Sequence, residues 1–300
     1  MSTKFEFKKA TKEQSKLRMA IHGPSGSGKT FSALSIAAHL GQRILLGDTE
    51  TKSASKYGDK FNFDVHEFEG NFHPDKACEF LEAGAAAGYD VIIIDSGSHF
   101  WNGSGGFLEL IDNEVKRQRA QGGKGDSFNA WKIVDPIYKK FVAAILNCNA
   151  HVIITLRAKQ EYSKEGGKVT KLGLAPEMRD GFQYEMDVEG MLTIEHDLAI
   201  GKTRVEALDG KVYRKPGKDV ADTLLAWLNS GAPKREIPAA SVPPANDVAG
   251  ELVARLEAAT SLDEVNAVKA DATSKRDQLG SSVQVVRAAL ESATNRLKAA

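Results

Sequence analysis

Residues 17–50 read LRMAIHGPSGSGKTFSALSIAAHLGQRILLGDTE, and their centre, GPSGSGKT at 23–30, matches the pattern G-x-x-x-x-G-K-[ST] in full. The flanks have the order this pattern requires. Residues 17–22 form an apolar run of strand length, residues 31–40 have helical spacing, and residues 43–47 form a second apolar run. Glycines let consecutive backbone N–H groups curl around phosphate oxygens, and a helix N-terminus adds partial positive charge. The stretch therefore predicts a triphosphate-binding loop made of Gly23, Pro24, Ser25, Gly26, Ser27, Gly28, Lys29 and Thr30, with Phe31 just beyond it. Lys29 is expected to reach the β- and γ-phosphates and Thr30 to offer its hydroxyl to Mg²⁺, so ATP and Mg²⁺ are the expected cofactors.

Downstream, YDVIIID at 89–95 is too uniformly apolar to face water on either side, and HVIITL at 151–156 is similar. Helical spacing occupies 74–88, 107–121 and 128–147. Strands alternating with helices predict an α/β fold, with a mainly parallel sheet covered on both faces. Shorter runs at 186–195, 198–206 and 212–214, with Asp209-Gly210 as a turn, predict an antiparallel extension of that sheet. In such a sheet the first polar residue after a buried strand lands at the carboxyl edge, beside the phosphate loop. That makes Asp95 a Mg²⁺-organising carboxylate, a role Ser96 could share. Asp48 and Glu50, after the second strand, become candidates for orienting and deprotonating water, and Asp48 also for the metal.

Basic and acidic residues balance at 40 each, so no global field draws the chain to nucleic acid or membrane. No apolar run approaches a membrane span and the N-terminus has no signal-like core, which predicts a cytoplasmic protein. Cys78 and Cys148 read as small apolar fillers. His22, His66, His73, His99, His151 and His196 lack metal-ligand spacing and read as structural, and His39 as surface. Residues 231–247 hold four of the nine prolines and read as a linker between a domain at 1–230 and a helical interaction domain at 248–300.

The motifs GPSGSGKT (23–30), LLGDTE (45–50), VIIIDS (91–96) and HVIITLR (151–157) together resemble those of RecA-like ATPases. The resemblance implies Glu50 as catalytic base and Thr155 as a γ-phosphate sensor, where the bacterial recombinase usually has glutamine. It also implies that Lys202 and Arg204 of GKTR (201–204) enter a neighbour's site in a ring or filament. More narrowly, residues 5–229 resemble phage-encoded AAA/RecA-like nucleotide-binding proteins that include single-strand-annealing recombinases. That likeness is carried by the segments FEFKKATKEQSKLRMAIHGPSGSGKT (5–30), DTETKSASKY (48–57), DSGSHFWNGSGG (95–106), FNAWKIVDP (128–136) and LGLAPEMRDGFQYEMDVEG (172–190). It implies a DNA-stimulated ATPase of the host cytoplasm that pairs or anneals single-stranded DNA, its C-terminal helices meeting a replication or recombination partner.

The loops expected to meet DNA span 99–127 and 158–184. The first contains Trp101, Lys116, Arg117, Arg119 and Lys124; the second contains Lys159, Lys164, Lys168, Lys171, Arg179, Phe182 and Tyr184. Residues 113–140 carry seven cations against three anions. Two other readings fit the phosphate loop: a nucleotide-switched adaptor without DNA activity, and a small-molecule phosphotransferase.

Overall fold

The computed structural model describes residues 9–165, 168–232, 247–259 and 261–275, and scattered positions from 286 to 296. The chain divides into two compact units, 1–234 and 235–300. In the first, chain order is β1 (Arg18–Gly23), α1 (Lys29–Leu40), β2 (Ile44–Asp48), β3 (Asp64–Glu67), α2 (Pro74–Ala86), β4 (Val91–Asp95), α3 (Ser98–Asn102), α4 (Phe107–Ala120) and α5 (Ser127–Asn147). It continues through β5 (His151–Glu165), β6 (Lys168–Pro176), α6 (Phe182–Glu185), β7 (Val188–Leu192), β8 (Asp197–Thr203), β9 (Val212–Arg214) and α7 (Lys218–Asn229).

The sheet order is β3-β2-β4-β5-β1-β7-β8-β9, with β6 paired to β5 alone. Strands β3 through β7 along that path are parallel, while β8 and β9 are antiparallel extensions, as the change of pattern after residue 186 predicts. Alternation along the strands splits the apolar side chains between two faces. Met19, Ile21, Ile93 and Ile153 face a core with Leu34, Ile36, Val220 and Leu224 of α1 and α7. Ala20, Ile92, Ile94, Val152 and Ile154 face a second core with Leu81, Phe107, Phe141 and Ile145 of α2, α4 and α5. Close packing shows at Gly47 of β2, where an added Cβ would lie 2.6 Å from Phe68 and 2.9 Å from Phe80.

Three differences from the expected elements have local causes. Strand β3 was not anticipated because its DVHE carries one apolar residue, Val65, which is exposed at the sheet edge. The segment expected as a loop over 158–184 is mostly a β-hairpin, since β5 runs past the sheet to Glu165 and returns as β6. Its sequence signal was the Gly166-Gly167 pair between two β-compatible runs. Between β8 and β9 the chain makes a 3-10 turn, Glu206–Leu208, before Gly210, so the connection is wider than a two-residue turn.

In the second unit, α8 (Asp247–Ala258) and α9 (Leu262–Ser274) pack Leu252, Leu256, Val265 and Val268 into a small core with Val286 and Ala293. Ser261 caps α9 by accepting the Glu264 amide at 3.3 Å. Most of the expected linker, 233–246, lies outside the described residues.

One titratable group is built into the joint between β1 and β5. His151 Nδ1 accepts the Leu17 amide at 3.0 Å. Burial, with Lys16 and Arg18 nearby, pushes its pKa down to about 4, against about 6.5 in an unfolded chain. Between those values the unfolded state binds more protons, so the contribution is full above about pH 6.5 and lost as pH falls through about 4. Urea unfolding should show up to about 3 kcal/mol of stability lost across that window. His151→Asn should flatten this part of the profile, and an unchanged slope in the variant would refute the assignment.

Candidate functional site

Register brings the predicted site residues to one sheet edge. Asp48 pairs with Asp95 across β2 and β4, Ile94 with Ile154 across β4 and β5, and Gly23 with Arg157 across β5 and β1. Ser25, Gly26, Gly28, Lys29, Thr30, Glu50, Tyr57, Asp95 and Arg157 line a single cavity of about 460 Å³.

Asp95 is 2% exposed. Thr30 donates its hydroxyl to Asp95 Oδ2 at 2.5 Å, and Thr155 donates to Oδ1. This is possible because β5 lies between the strand that enters the loop and the strand that carries Asp95. Burial raises the carboxyl's pKa, while the two hydroxyls oppose that rise. Lys29 donates to the carbonyls of Gly23 at 3.0 Å and Pro24 at 2.9 Å, so its ammonium folds over the loop. Burial lowers its pKa, and Asp95 and Glu50 counter that. The hydroxyl of Thr30 and the carboxylate of Asp95 are hard oxygen donors side by side, a set that fits Mg²⁺ completed by phosphate oxygens and water. Among the described residues no group of three or more His, Cys, Asp or Glu side chains forms a separate metal cage.

Asp48 and Glu50 occupy different environments. Asp48 is buried, and its oxygens accept the amides of Glu50 at 2.6 Å and Ala54 at 2.9 Å, which shapes the loop after β2. Glu50 reaches the cavity, where Arg157 Nε donates to its Oε1 at 3.1 Å. Thr49, between them, accepts the Ser96 amide at 2.7 Å and contacts His99 Nδ1 at 2.6 Å. Burial, then Arg157, lowers the His99 pKa, favouring a neutral ring.

Lys202 and Arg204 do not join this cluster. They lie where β8 runs back toward the start of β7, with Lys202 opposite Glu189. Lys202 donates to the Met186 carbonyl, and Arg204 sits 3.6 Å from Asp187.

Two contributors escaped the sequence reading. Tyr57 lines the cavity, and its ring meets Phe31 edge-on at 6.0 Å; Phe61 meets Phe31 at 5.2 Å. The spacing from Glu50 to Tyr57 carried no periodic signal that would single it out. His196, in the turn between β7 and β8, has Nδ1 2.8 Å from the Ser27 carbonyl, so the ring donates to the phosphate loop. Gly28, at φ 88°, leaves room for that ring, since an added Cβ would lie 3.2 Å from Nδ1. Gly23 is tighter still, with an added Cβ 2.4 Å from the Leu192 carbonyl.

A family model described as an AAA domain matches residues 15–224, and the chain belongs to that family. It is thus a nucleotide-binding P-loop NTPase domain of a kind that binds nucleotide with Mg²⁺. No curated protein matches the chain.

His196→Ala should weaken nucleotide binding by about 1 kcal/mol, roughly fivefold in Kd, with little change in Tm. Titration calorimetry checks this, and an unchanged Kd would remove His196 from the site. Asp95→Asn removes a buried charge whose raised pKa makes stability fall as pH rises from the unfolded carboxyl value to the folded one. The variant should therefore melt higher than the parent at about pH 7 without nucleotide, yet lose turnover. A lower melting temperature would contradict this account of Asp95.

Proposed function

We propose that this AAA-domain protein is a Mg²⁺-dependent ATPase whose turnover is coupled to single-stranded DNA, as in strand pairing or annealing during phage recombination or replication. The observation that carries the ATPase reading is the convergence of Lys29, Thr30, Glu50, Asp95 and Arg157 on one cavity beneath the glycine-rich loop. Lys29 leaves the loop carbonyls for the phosphates. Glu50 orients a water and accepts its proton as that oxygen attacks the γ-phosphorus and the bond to the β-phosphate oxygen breaks. Thr30 and Asp95 hold Mg²⁺, which neutralises phosphate charge when bound. Asp48 acts on this chemistry by fixing the loop that carries Glu50, and Thr155 by holding Asp95. Tyr57 and Phe31 offer an aromatic wall suited to a purine base.

The DNA reading is supported by the cation-rich α4–α5 region. Trp101 and Trp131 are half-buried and stack at 6.1 Å, so they serve the core. The exposed aromatic there is Phe128, 72% exposed with Lys132 over its ring. Phe128 with Lys116, Arg119, Lys124 and Lys132 makes the better stacking and phosphate-tracking surface. In this reading the protein assembles into a ring or filament, and Lys202 and Arg204 leave their present partners to act on a neighbour.

The adaptor reading draws on the separate core of the second unit, a ready platform for a partner under nucleotide control. ATPase assays with and without single-stranded DNA separate the two. Stimulation of at least about tenfold, abolished by Lys29→Ala and weakened by Phe128→Ala at raised salt, supports the DNA-coupled enzyme. Turnover indifferent to DNA at low salt refutes it and favours the adaptor.

A further inference from the structure

No role assigned so far accounts for His99. It lies in the first turn of α3, and both its backbone and its ring are held in place. Its carbonyl accepts the Gly103 amide at 2.8 Å, and an added Cβ at Gly103 would lie 2.5 Å from that carbonyl oxygen. The ring stacks on Phe72 with centroids 5.1 Å apart and planes 22° apart. So seated, its Nδ1 meets the Thr49 hydroxyl at 2.6 Å. Thr49 is the buried residue between Asp48 and Glu50, and its own amide donates to the Asp95 carbonyl at 2.7 Å.

The Thr49 hydroxyl has three close polar neighbours: the Ser96 amide at 2.7 Å, the Ser96 carbonyl at 3.0 Å and His99 Nδ1. A hydroxyl carries one proton and two lone pairs, an amide N–H only donates, and a carbonyl only accepts. If the hydroxyl proton pointed to His99, two oxygens would face each other at 3.0 Å with no hydrogen between them. If it points to the Ser96 carbonyl, the second lone pair accepts from Nδ1–H, and all three contacts are hydrogen bonds. Burial, then Arg157, lowers the pKa of the ring, which favours the neutral form with its single proton on Nδ1.

We propose that His99, as the Nδ1–H tautomer, is a positioning residue for hydrolysis: it pins the Thr49 hydroxyl and so fixes the direction in which Glu50 enters the cavity. The inference rests on the reading of Glu50 as the base. Asp48 holds the Glu50 amide at 2.6 Å, but the Glu50 side chain itself is 32% exposed, so its aim depends on how firmly the preceding peptide is held. Without Nδ1–H the Thr49 hydroxyl is tied to Ser96 alone, and the turn after β2 loses its fastening to α3. Attack by an oriented water is sensitive to such small displacements. Nucleotide affinity is not, because the phosphate loop is not among the hydrogen-bond partners of the His99 ring.

Two variants of the full-length protein test this, His99→Asn and His99→Gln, each measured for Mg²⁺-dependent ATP turnover and for the calorimetric Kd of a non-hydrolysable ATP analogue. The Asn side chain carries an amide N–H near the place of Nδ1, whereas that of Gln sits one bond further out. His99→Gln should lower kcat about tenfold and leave the analogue Kd within about twofold. His99→Asn should keep kcat within about threefold of the parent. Both variants lose the stacking on Phe72, so a role confined to packing would move them together. Equal loss of kcat in the two variants would overturn the proposal, as would parallel losses of kcat and affinity in His99→Gln. The nitrogen-15 spectrum of the parent protein decides the matter even if a variant fails to fold: it should show His99 protonated on Nδ1, and a proton on Nε2 instead refutes the assignment. A parent that binds the analogue but never turns ATP over would sink the hydrolytic reading and this inference with it. Turnover in the parent with undiminished His99→Gln would sink this inference alone.

Discussion

The site is organised around one buried carboxylate. Asp95 is removed from water at the end of a strand buried along its length, where an isolated charge costs several kcal/mol. Two hydroxyls reduce that cost, and they come from elements far apart in sequence: Thr30 opens the helix after the phosphate loop, and Thr155 sits on β5. The arrangement requires β1 and β4 to end level with Thr155 in the middle of β5, which their parallel register provides. Much of the parallel sheet can be understood as holding those three points level.

The same register explains why the loops around the cavity behave as a group. Thr49 after β2 is hydrogen-bonded to Ser96 after β4 and contacts His99. Ser98, two residues after Ser96, accepts the amide of Arg157 within β5. Each loop is short where it touches the next, so the turn after β2 that carries Glu50 and the β5–β6 hairpin share a continuous set of hydrogen bonds. These contacts join the loops that border the cavity through groups with definite partners.

The sequence disclosed the parts of this site that follow from local chemistry. The phosphate loop was legible because glycine, lysine and threonine at fixed spacing have few other reasons to occur between a strand and a helix. Asp95 was legible because a run of four branched apolar residues must end at a sheet edge. Glu50 and Asp48 were visible as a pair, but their division of labour was not. It depends on which carboxylate the turn after β2 folds inward, and that turn is built by amides, which every sequence has. Tyr57 reaches the cavity, and His196 the phosphate loop, from elements whose approach is set by tertiary packing, and no spacing rule marks them. Residues 158–184 read as a charged loop because charged residues conceal the alternation of the hairpin within it.

The contact between Gly23 and the Leu192 carbonyl has a mechanical meaning. With no space for even a methyl group between them, the first residue of the phosphate loop and the last of β7 form a joint without slack. His196 adds a second fastening a few residues further along. The antiparallel margin of the sheet is therefore fastened to the phosphate loop at two points, and neither can shift without the other.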